Sequence, residues 1–434
     1  MGKTRTIRML YGKEGMLLAV PADAAVLESE SVPPLADPAA AVQSALAAPI
    51  GGQGLAEIIA SKRPRNAAIT ISDITRIVPN RQLLPPLLEV LNAAGLADRQ
   101  IVIIIGTGMH RPSTPQERRG LLGEDILRRL EVIDHRADDP STLVQVCDNP
   151  AIHVCRRFVQ ADLRIVTGYI EPHFMAGFSG GRKGVCPALV DLATIQRFHG
   201  YATLADPKAD NGILDGNPCH EIALKVARAV EVDFLLNVAV TRDRRIAGVY
   251  GGDPEQAHLA GCRDVAEWTT AMIDGPFDLV VTNGGGFPLD QTFYQTVKGM
   301  CTALPALAKD STLLIASHCG EQVGSPAYTE LMLRYDNDWR TFLADIAASS
   351  ETKLDQWEFQ MQCRVLERIG QERIWFVSDG LATETQRHLA VTPILGSGSA
   401  QQRTQKAIDS LLAARPGGRV AIIPEGPYTM LRRR

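Results

Sequence analysis

The stretch Tyr169-Ile-Glu-Pro-His-Phe-Met-Ala-Gly-Phe-Ser-Gly-Gly-Arg-Lys-Gly184 gathers His173, a Gly180-Gly181 turn and the Arg182-Lys183 pair. Consecutive glycines let backbone N–H groups approach an anion, and a guanidinium is a fork suited to phosphate. A lysine in such a loop is either one more phosphate contact or a nucleophilic amine. This is not a Walker loop, because Arg182 precedes the lysine and Gly184 stands where Ser or Thr is required, so nucleoside-triphosphate hydrolysis is disfavoured. Two further clusters carry chemistry: Ser72-Asp73-Ile-Thr75-Arg76, and Gly106-Thr-Gly108-Met-His110-Arg111-Pro112. His110 and His173 lie at the ends of separate strands beside an Arg or Glu, where a lone histidine is usually structural and two together point modestly to function. His199 closes the pattern Asp191 to His199, where it suits either a helix dipole or a metal.

Short apolar runs alternate with longer helical patterns, which is the signature of an α/β chain. The expected strands are Ala67 to Ile71, Ile101 to Ile105, Leu163 to Val166, Phe234 to Val240, Phe277 to Val281, Thr312 to Ile315, Ile374 to Val377 and Val420 to Ile423. Helical patterns cover Arg81 to Ala94, Asp191 to His199, Glu221 to Ala229, Glu255 to Met272 and Ser399 to Ala414, and Thr114-Pro-Gln-Glu117 reads as a capping box. Each reactive cluster follows a strand, at the sheet edge where open α/β folds bind ligands. If those strands are neighbours, Asp73, Arg76, His110, His173 and Lys183 converge. Duller readings exist: Ser72 and Asp73 also suit a helix cap, and His220 in Asn217-Pro-Cys-His-Glu221 reads as structural.

At 434 residues the chain has room for two or three domains. The best boundary lies at Asp274-Gly-Pro276, giving a first domain over 1–273 and a second over 274–416, with the closing segment 417–434 expected to return to the first. The Pro/Ala-rich stretch Val32 to Pro49 reads as a surface excursion. In the second domain, Asn283-Gly-Gly-Gly286 feeds a helix that puts Tyr294, Gln295 and Lys298 on one face. Ser317-His-Cys-Gly-Glu321 offers a Cys/His pair without an identifiable general base. A net charge of −4 gives no electrostatic case for nucleic acid or a membrane surface. Eight scattered cysteines without a CxxC pair suit a reducing cytoplasm, and no apolar run approaches the ~20 residues of a membrane span.

Taken together, Ser72-Asp-x-Thr-Arg76, Gly106-Thr-Gly-x-His-Arg-Pro112, Glu171-Pro-His173 through Gly180-Gly-Arg-Lys183, His199, Gly216-Asn-Pro-x-His-Glu221 and Tyr294-Gln-x-x-Lys298 resemble the nickel-pincer lactate racemase family, in family order. The resemblance implies two α/β domains with mainly parallel sheets and an interdomain active-site cleft. It implies an isomerase that racemises or epimerises a 2-hydroxy acid by reversible hydride transfer. Lys183 would carry a covalent nickel-pincer nucleotide (pyridinium-3-thioamide-5-thiocarboxylic acid mononucleotide), with Asp73, Ser179, Gly180, Gly181 and Arg182 around it and His199 on the nickel. His110 and His173 would be the paired acid/base residues, and Arg76, Lys298, Gln295, Tyr294 and Trp357 would face the substrate, lactate or a short aliphatic homologue. Cofactor-maturation enzymes are the implied transient partners. The chain departs from the family at Gly184, where a bulkier residue is expected, and at Ala188, where glycine is expected. Two other readings stay open: a metal hydrolase with His110, His173 and His199 as ligands, and a noncatalytic nucleotide-binding protein.

Overall fold

The computed structural model describes residues 3–434 except Ile77 and Arg242. The chain forms two compact units, one from Ser31–His199 and Asp206–Trp268, the other from Met1–Glu30, Gly200–Ala205 and Thr269–Arg434.

In the unit that runs from Ser31, six strands lie in the order Ile246–Gly252, Phe234–Val240, Leu163–Tyr169, Ala67–Ser72, Ile101–Gly106, Glu131–Asp134. All neighbours are parallel except the first pair. The central strands are continuous runs of buried Ile, Val and Ala, as parallel strands covered on both faces require. Ile69, Ile71, Ile103, Ile105 and Ile165 pack with Leu83, Leu84, Leu87 and Leu91 of the helix Asn80–Ala93. Pairing of Ser72 with Gly106, and of Thr70 with Val166, brings the three reactive loops to one carboxyl edge. Val32 to Pro49 is not a mere surface excursion. Asp37 caps a helix, Pro38–Ala47, whose Val42 and Leu46 are buried in the core.

The other unit holds six parallel strands in the order Thr392–Pro393, Ile374–Val377, Leu307–Ala316, Phe277–Asn283, Val420–Ile422, Ala25–Val26. This corrects the expected domain ownership at both ends of the chain. The closing strand pairs with Phe277–Asn283, Leu279 opposite Val420, so the closing segment belongs with the second sheet. Residues 3–30 join it too, through the pairing of Ala421 with Ala25. The helix expected over Glu255 to Met272 stops at Thr269. Thr270–Ile273 instead pairs with Met430–Arg433, a long-range partner that a local pattern cannot reveal. Among the described residues no helix is long and apolar enough to cross a membrane.

Candidate active site

The loop after Ile101–Gly106 owes its shape to close packing against the segment after Lys183. A Cβ on Gly106 would sit 2.8 Å from Cβ of Ala188, and the Gly108 amide donates to the Ala188 carbonyl at 3.0 Å. The alanine at 188 therefore fills space that Gly106 leaves open. Gly184 is equally constrained, since a Cβ there would meet Val166 Cγ1 at 2.4 Å, so this backbone admits nothing bulkier.

His110 Nδ1 lies 2.7 Å from Asp73 Oδ2. The other carboxylate oxygen of Asp73 accepts from the Thr75 amide at 3.1 Å and the Thr75 hydroxyl at 2.5 Å. Burial pushes the Asp73 pKa up, but hydrogen bonds from His110 and Thr75 and the charges of His110 and Arg76 outweigh it, so the net shift is downward. Asp73, expected beside the cofactor, spends its carboxylate on His110 and its own turn.

The loop after Leu163–Tyr169 is internally braced. Ser179 Oγ donates to the Tyr169 carbonyl at 2.9 Å and accepts from the Glu171 amide at 2.9 Å. Glu171 takes the Tyr169 hydroxyl on one oxygen and stands 3.8 Å from Arg76 Nε on the other. His173 is buried, and its Nδ1 accepts the amides of Met175 at 3.3 Å and Ala176 at 3.2 Å. Asn217, the cap of helix Pro218–Ala229, reaches back to the Met175 carbonyl at 2.9 Å.

Gly180 and Gly181 have φ of +72° and +56°, and a Cβ on Gly181 would lie 2.4 Å from the His258 ring. The Gly181 amide does not wait for an anion; it donates to Asn237 Oδ1 at 2.7 Å. Arg182 was expected to offer its fork to phosphate, yet the side chain is 4% exposed and turned into the interior. Its nitrogens meet the Ala176 carbonyl at 2.7 Å and His258 Nε2 at 3.1 Å, and Nε has no partner among the described residues. Ser179, Gly180, Gly181 and Arg182 thus build the loop that presents the next residue.

That residue is Lys183. Its Nζ stands 4.9 Å from the centre of the Phe198 ring, and no carboxylate pairs with it among the described residues. Burial, then the charges of Arg182 and Arg76, bring its pKa down to about 7. His199 follows Phe198 and donates from Nδ1 to the Ile195 carbonyl at 2.9 Å, which leaves the lone pair of the neutral ring on Nε2. Burial and the Lys183 charge lower its pKa to about 3, so the ring is neutral, the form that binds metals. Lys183 and His110 both act on His199 electrostatically, which places Arg76, His110, Lys183 and His199 in one neighbourhood.

In the second unit, Thr292 caps the helix Phe293–Thr302 that carries Tyr294, Gln295 and Lys298. Trp357 Nε1 donates to the Tyr294 hydroxyl at 2.8 Å, and Gln295 Oε1 is buried without a partner among the described residues. Burial and the carboxylates of Glu358 and Asp355 raise the Tyr294 pKa well above its usual value. The Cys319 thiol turns to Ser317 and Thr296, and burial raises its pKa to about 11, so no Cys/His dyad forms.

Among the described residues no three His, Cys, Asp or Glu side chains form a metal-binding group, which removes the hydrolase reading that needed His110, His173 and His199 as joint ligands. Sequence reasoning missed Glu171 as the partner of Arg76, and Asn237 and His258 as supports of the glycine turn. Glu171 was legible only as part of its motif, whereas Asn237 and His258 lie on distant elements with no local signal.

Fold and site define a two-unit α/β enzyme built around a buried amine, a neutral imidazole and a histidine–aspartate pair. The family models for the lactate racemase N-terminal domain and C-terminal domain match residues 11–212 and 273–428. The chain is 31% identical over 396 residues to the lactate racemase of Thermoanaerobacterium thermosaccharolyticum, covering 90% of each chain. It is 34% identical over 395 residues to that of Lactiplantibacillus plantarum, covering 89% of each. The lactate racemase apoprotein structure from T. thermosaccharolyticum matches with a TM-score of 0.90 at 29% identity, over 99% of this chain and 100% of that one. A protein from Thermotoga maritima shares the fold at a TM-score of 0.69 and 16% identity, over 94% and 100% of the two chains. The chain belongs to the lactate racemase family, and its enzyme class is isomerase.

Proposed function

We propose that this protein racemises lactate, or a short aliphatic 2-hydroxy acid, with a nickel-pincer nucleotide held covalently by Lys183 and its nickel bound by His199. The observation that carries this reading is that Lys183 Nζ stands 4.9 Å from the ring of Phe198, the neighbour in sequence of His199, whose Nδ1 is tied to the Ile195 carbonyl, in a setting that brings the amine to about 7 and keeps the imidazole neutral down to about 3. A deprotonated amine is what a covalent bond to a thiocarboxyl-derived carbon needs, and a neutral imidazole with its lone pair on Nε2 is what nickel needs. When bound, the group supplies a hydride acceptor, so the α-carbon can pass through a planar 2-keto acid.

The chain's own residues do the rest. His110 and His173 take and return the hydroxyl proton on the two hands of the substrate. Arg76, steadied by Glu171 at 3.8 Å, is the proposed grip on the substrate carboxylate. Lys298, Gln295, Tyr294 and Trp357 are the further substrate contacts that the family motif assigns. All eight cysteines are free thiols, in keeping with a cytoplasmic setting where cofactor-maturation enzymes would load the protein. The decisive experiment is protein co-produced with those enzymes, followed by intact mass, nickel content and polarimetry with each lactate enantiomer. An added mass lost in Lys183→Ala, together with racemisation, is the expected result. Full activity at the unmodified mass would overturn the reading.

A further inference from the structure

The two histidines differ in what holds their inner nitrogen. A neutral imidazole carries one N–H and one lone pair, so the partner of either nitrogen decides the state of the other. Asp73 Oδ2, 2.7 Å from His110 Nδ1, belongs to a carboxylate that only accepts, so the His110 proton sits on Nδ1 and the lone pair on Nε2. At His173 the partners are the N–H groups of Met175 and Ala176, at 3.3 and 3.2 Å, which only donate. The lone pair of His173 is therefore on Nδ1 and its proton on Nε2.

Both arrangements are built in. Asp73 is buried, its second oxygen is fixed by Thr75, and its side chain is 9% exposed against 57% for His110, so the carboxylate is the anchor and the ring the exposed working group. The donors to His173 are backbone amides of a braced loop, tied through Asn217 to the Met175 carbonyl.

We propose that Asp73 is a positioning residue that sets His110 as a proton acceptor through Nε2, while the Met175 and Ala176 amides set the neutral His173 in the opposite tautomer, a hydrogen-bond donor through Nε2. The assignment rests on the functional reading above and adds a direction to it. In the resting protein a substrate hydroxyl facing His110 loses its proton to Nε2: the O–H bond breaks, the N–H bond forms, and the imidazolium is stabilised by Asp73. A hydroxyl facing His173 meets an N–H. For His173 to accept, its proton must first move to Nδ1, at the expense of both amide contacts.

The test begins with apoprotein carrying histidine labelled with NMR-active nitrogen, because ring-nitrogen shifts report the tautomer without any cofactor. His110→Gln and His173→Gln identify the two sets of signals. On the neutral rings, His110 should be protonated at Nδ1 and His173 at Nε2; the same tautomer at both would overturn the proposal. In loaded enzyme, Asp73→Asn should lower kcat by roughly 10²–10⁴-fold with little change in KM, as when an orienting carboxylate becomes an amide that permits the wrong tautomer. Its His110 signals should change while those of His173 stay, and Asp73→Glu should recover part of the rate. An unaltered His110 spectrum or kcat in Asp73→Asn would also sink the idea. Because the spectra come from apoprotein, a lack of racemase activity would defeat the functional reading without touching the tautomers, and the converse holds as well.

Discussion

Nζ of Lys183 lies 4.9 Å from the centre of the Phe198 ring, immediately before His199 in the chain, in a setting that moves its pKa from 10.5 to about 7. Between those values the unfolded chain binds a proton that the folded chain has lost. Stability therefore rises with pH across that window, and the cost of the buried amine is greatest at and below about 7. Lys183→Met removes the cost. Apoprotein of that variant should be more stable than the parent near neutral pH by about 2–4 kcal/mol, a discounted figure for a shift of this size. The gain should shrink towards zero as the pH approaches the ordinary lysine value. Urea titrations at several pH values would show it; a variant less stable than the parent at neutral pH would contradict the burial argument.

His199 donates from Nδ1 to Ile195, which leaves the lone pair of the neutral ring on Nε2, the nitrogen proposed for nickel. His199→Ala should keep the covalent adduct on Lys183, since that bond is made elsewhere, but should lose nickel more readily on dialysis. Added imidazole should restore part of the metal content and the rate. Nickel content and activity equal to the parent would leave His199 as nothing more than the end of its helix.

Arg182 is a test of how a loop motif divides its labour. Its guanidinium is interior, bonded to the Ala176 carbonyl and His258, so Arg182→Met should leave those buried neutral groups without a donor and destabilise the fold by about 1–3 kcal/mol, offset in part by the loss of a buried charge. Gly181→Ala should act in the same direction, because its Cβ would press on His258 from a backbone at φ +56°. Chemical denaturation measures both. A stable Arg182→Met protein that fails only to take up the nucleotide would return Arg182 to phosphate binding.

The strands of the first sheet were legible because Ala67 to Ile71 and Ile101 to Ile105 are unbroken apolar runs, and the reactive loops follow directly from them. His110, His173 and Lys183 drew attention for the same reason: they lie in loops after strands, at the sheet edge where open α/β folds bind ligands. What stayed hidden was partnership over distance. Nothing local says that Ala25–Val26 pairs with Val420–Ile422, or that Asp73 turns to His110. Arg182 shows the same limit, since an arginine in a glycine loop reads as exposed until His258 and the Ala176 carbonyl are seen beside it.

The histidines should fail differently when removed. Interconversion of enantiomers obliges kcat/KM to be equal in both directions, so steady-state ratios cannot separate them. Single turnovers of loaded enzyme, quenched in acid and assayed for 2-keto acid, can. His110→Gln should release keto acid from one enantiomer only and His173→Gln from the other, while overall racemisation falls by roughly 10²–10⁴-fold in each. Keto acid from both enantiomers in either variant would remove that histidine from the proton-transfer role.

The substrate itself is the last expectation. Arg76 offers a guanidinium that can hold one carboxylate by two parallel hydrogen bonds, which an ammonium cannot reproduce, so Arg76→Lys should lose activity markedly. Around the helix Phe293–Thr302, Tyr294 is hydrogen-bonded by Trp357 at 2.8 Å and packs edge-on to Tyr328 with ring centres 5.1 Å apart. Those contacts are aromatic, and Gln295 Oε1 and the Tyr328 hydroxyl are both buried there without a partner among the described residues. With Arg76 and Lys298 proposed to share a single carboxylate, the Gln295 oxygen as a proposed contact would repel a second one, which favours a monocarboxylic acid with a small apolar side chain. Polarimetry on single enantiomers should therefore rank lactate and 2-hydroxybutyrate above malate and 2-hydroxyglutarate. Gln295→Glu should widen that gap by adding negative charge, and Gln295→Lys should narrow it. Faster racemisation of the dicarboxylates by the parent enzyme would overturn the substrate assignment while leaving the roles of His110, His173 and Lys183 standing.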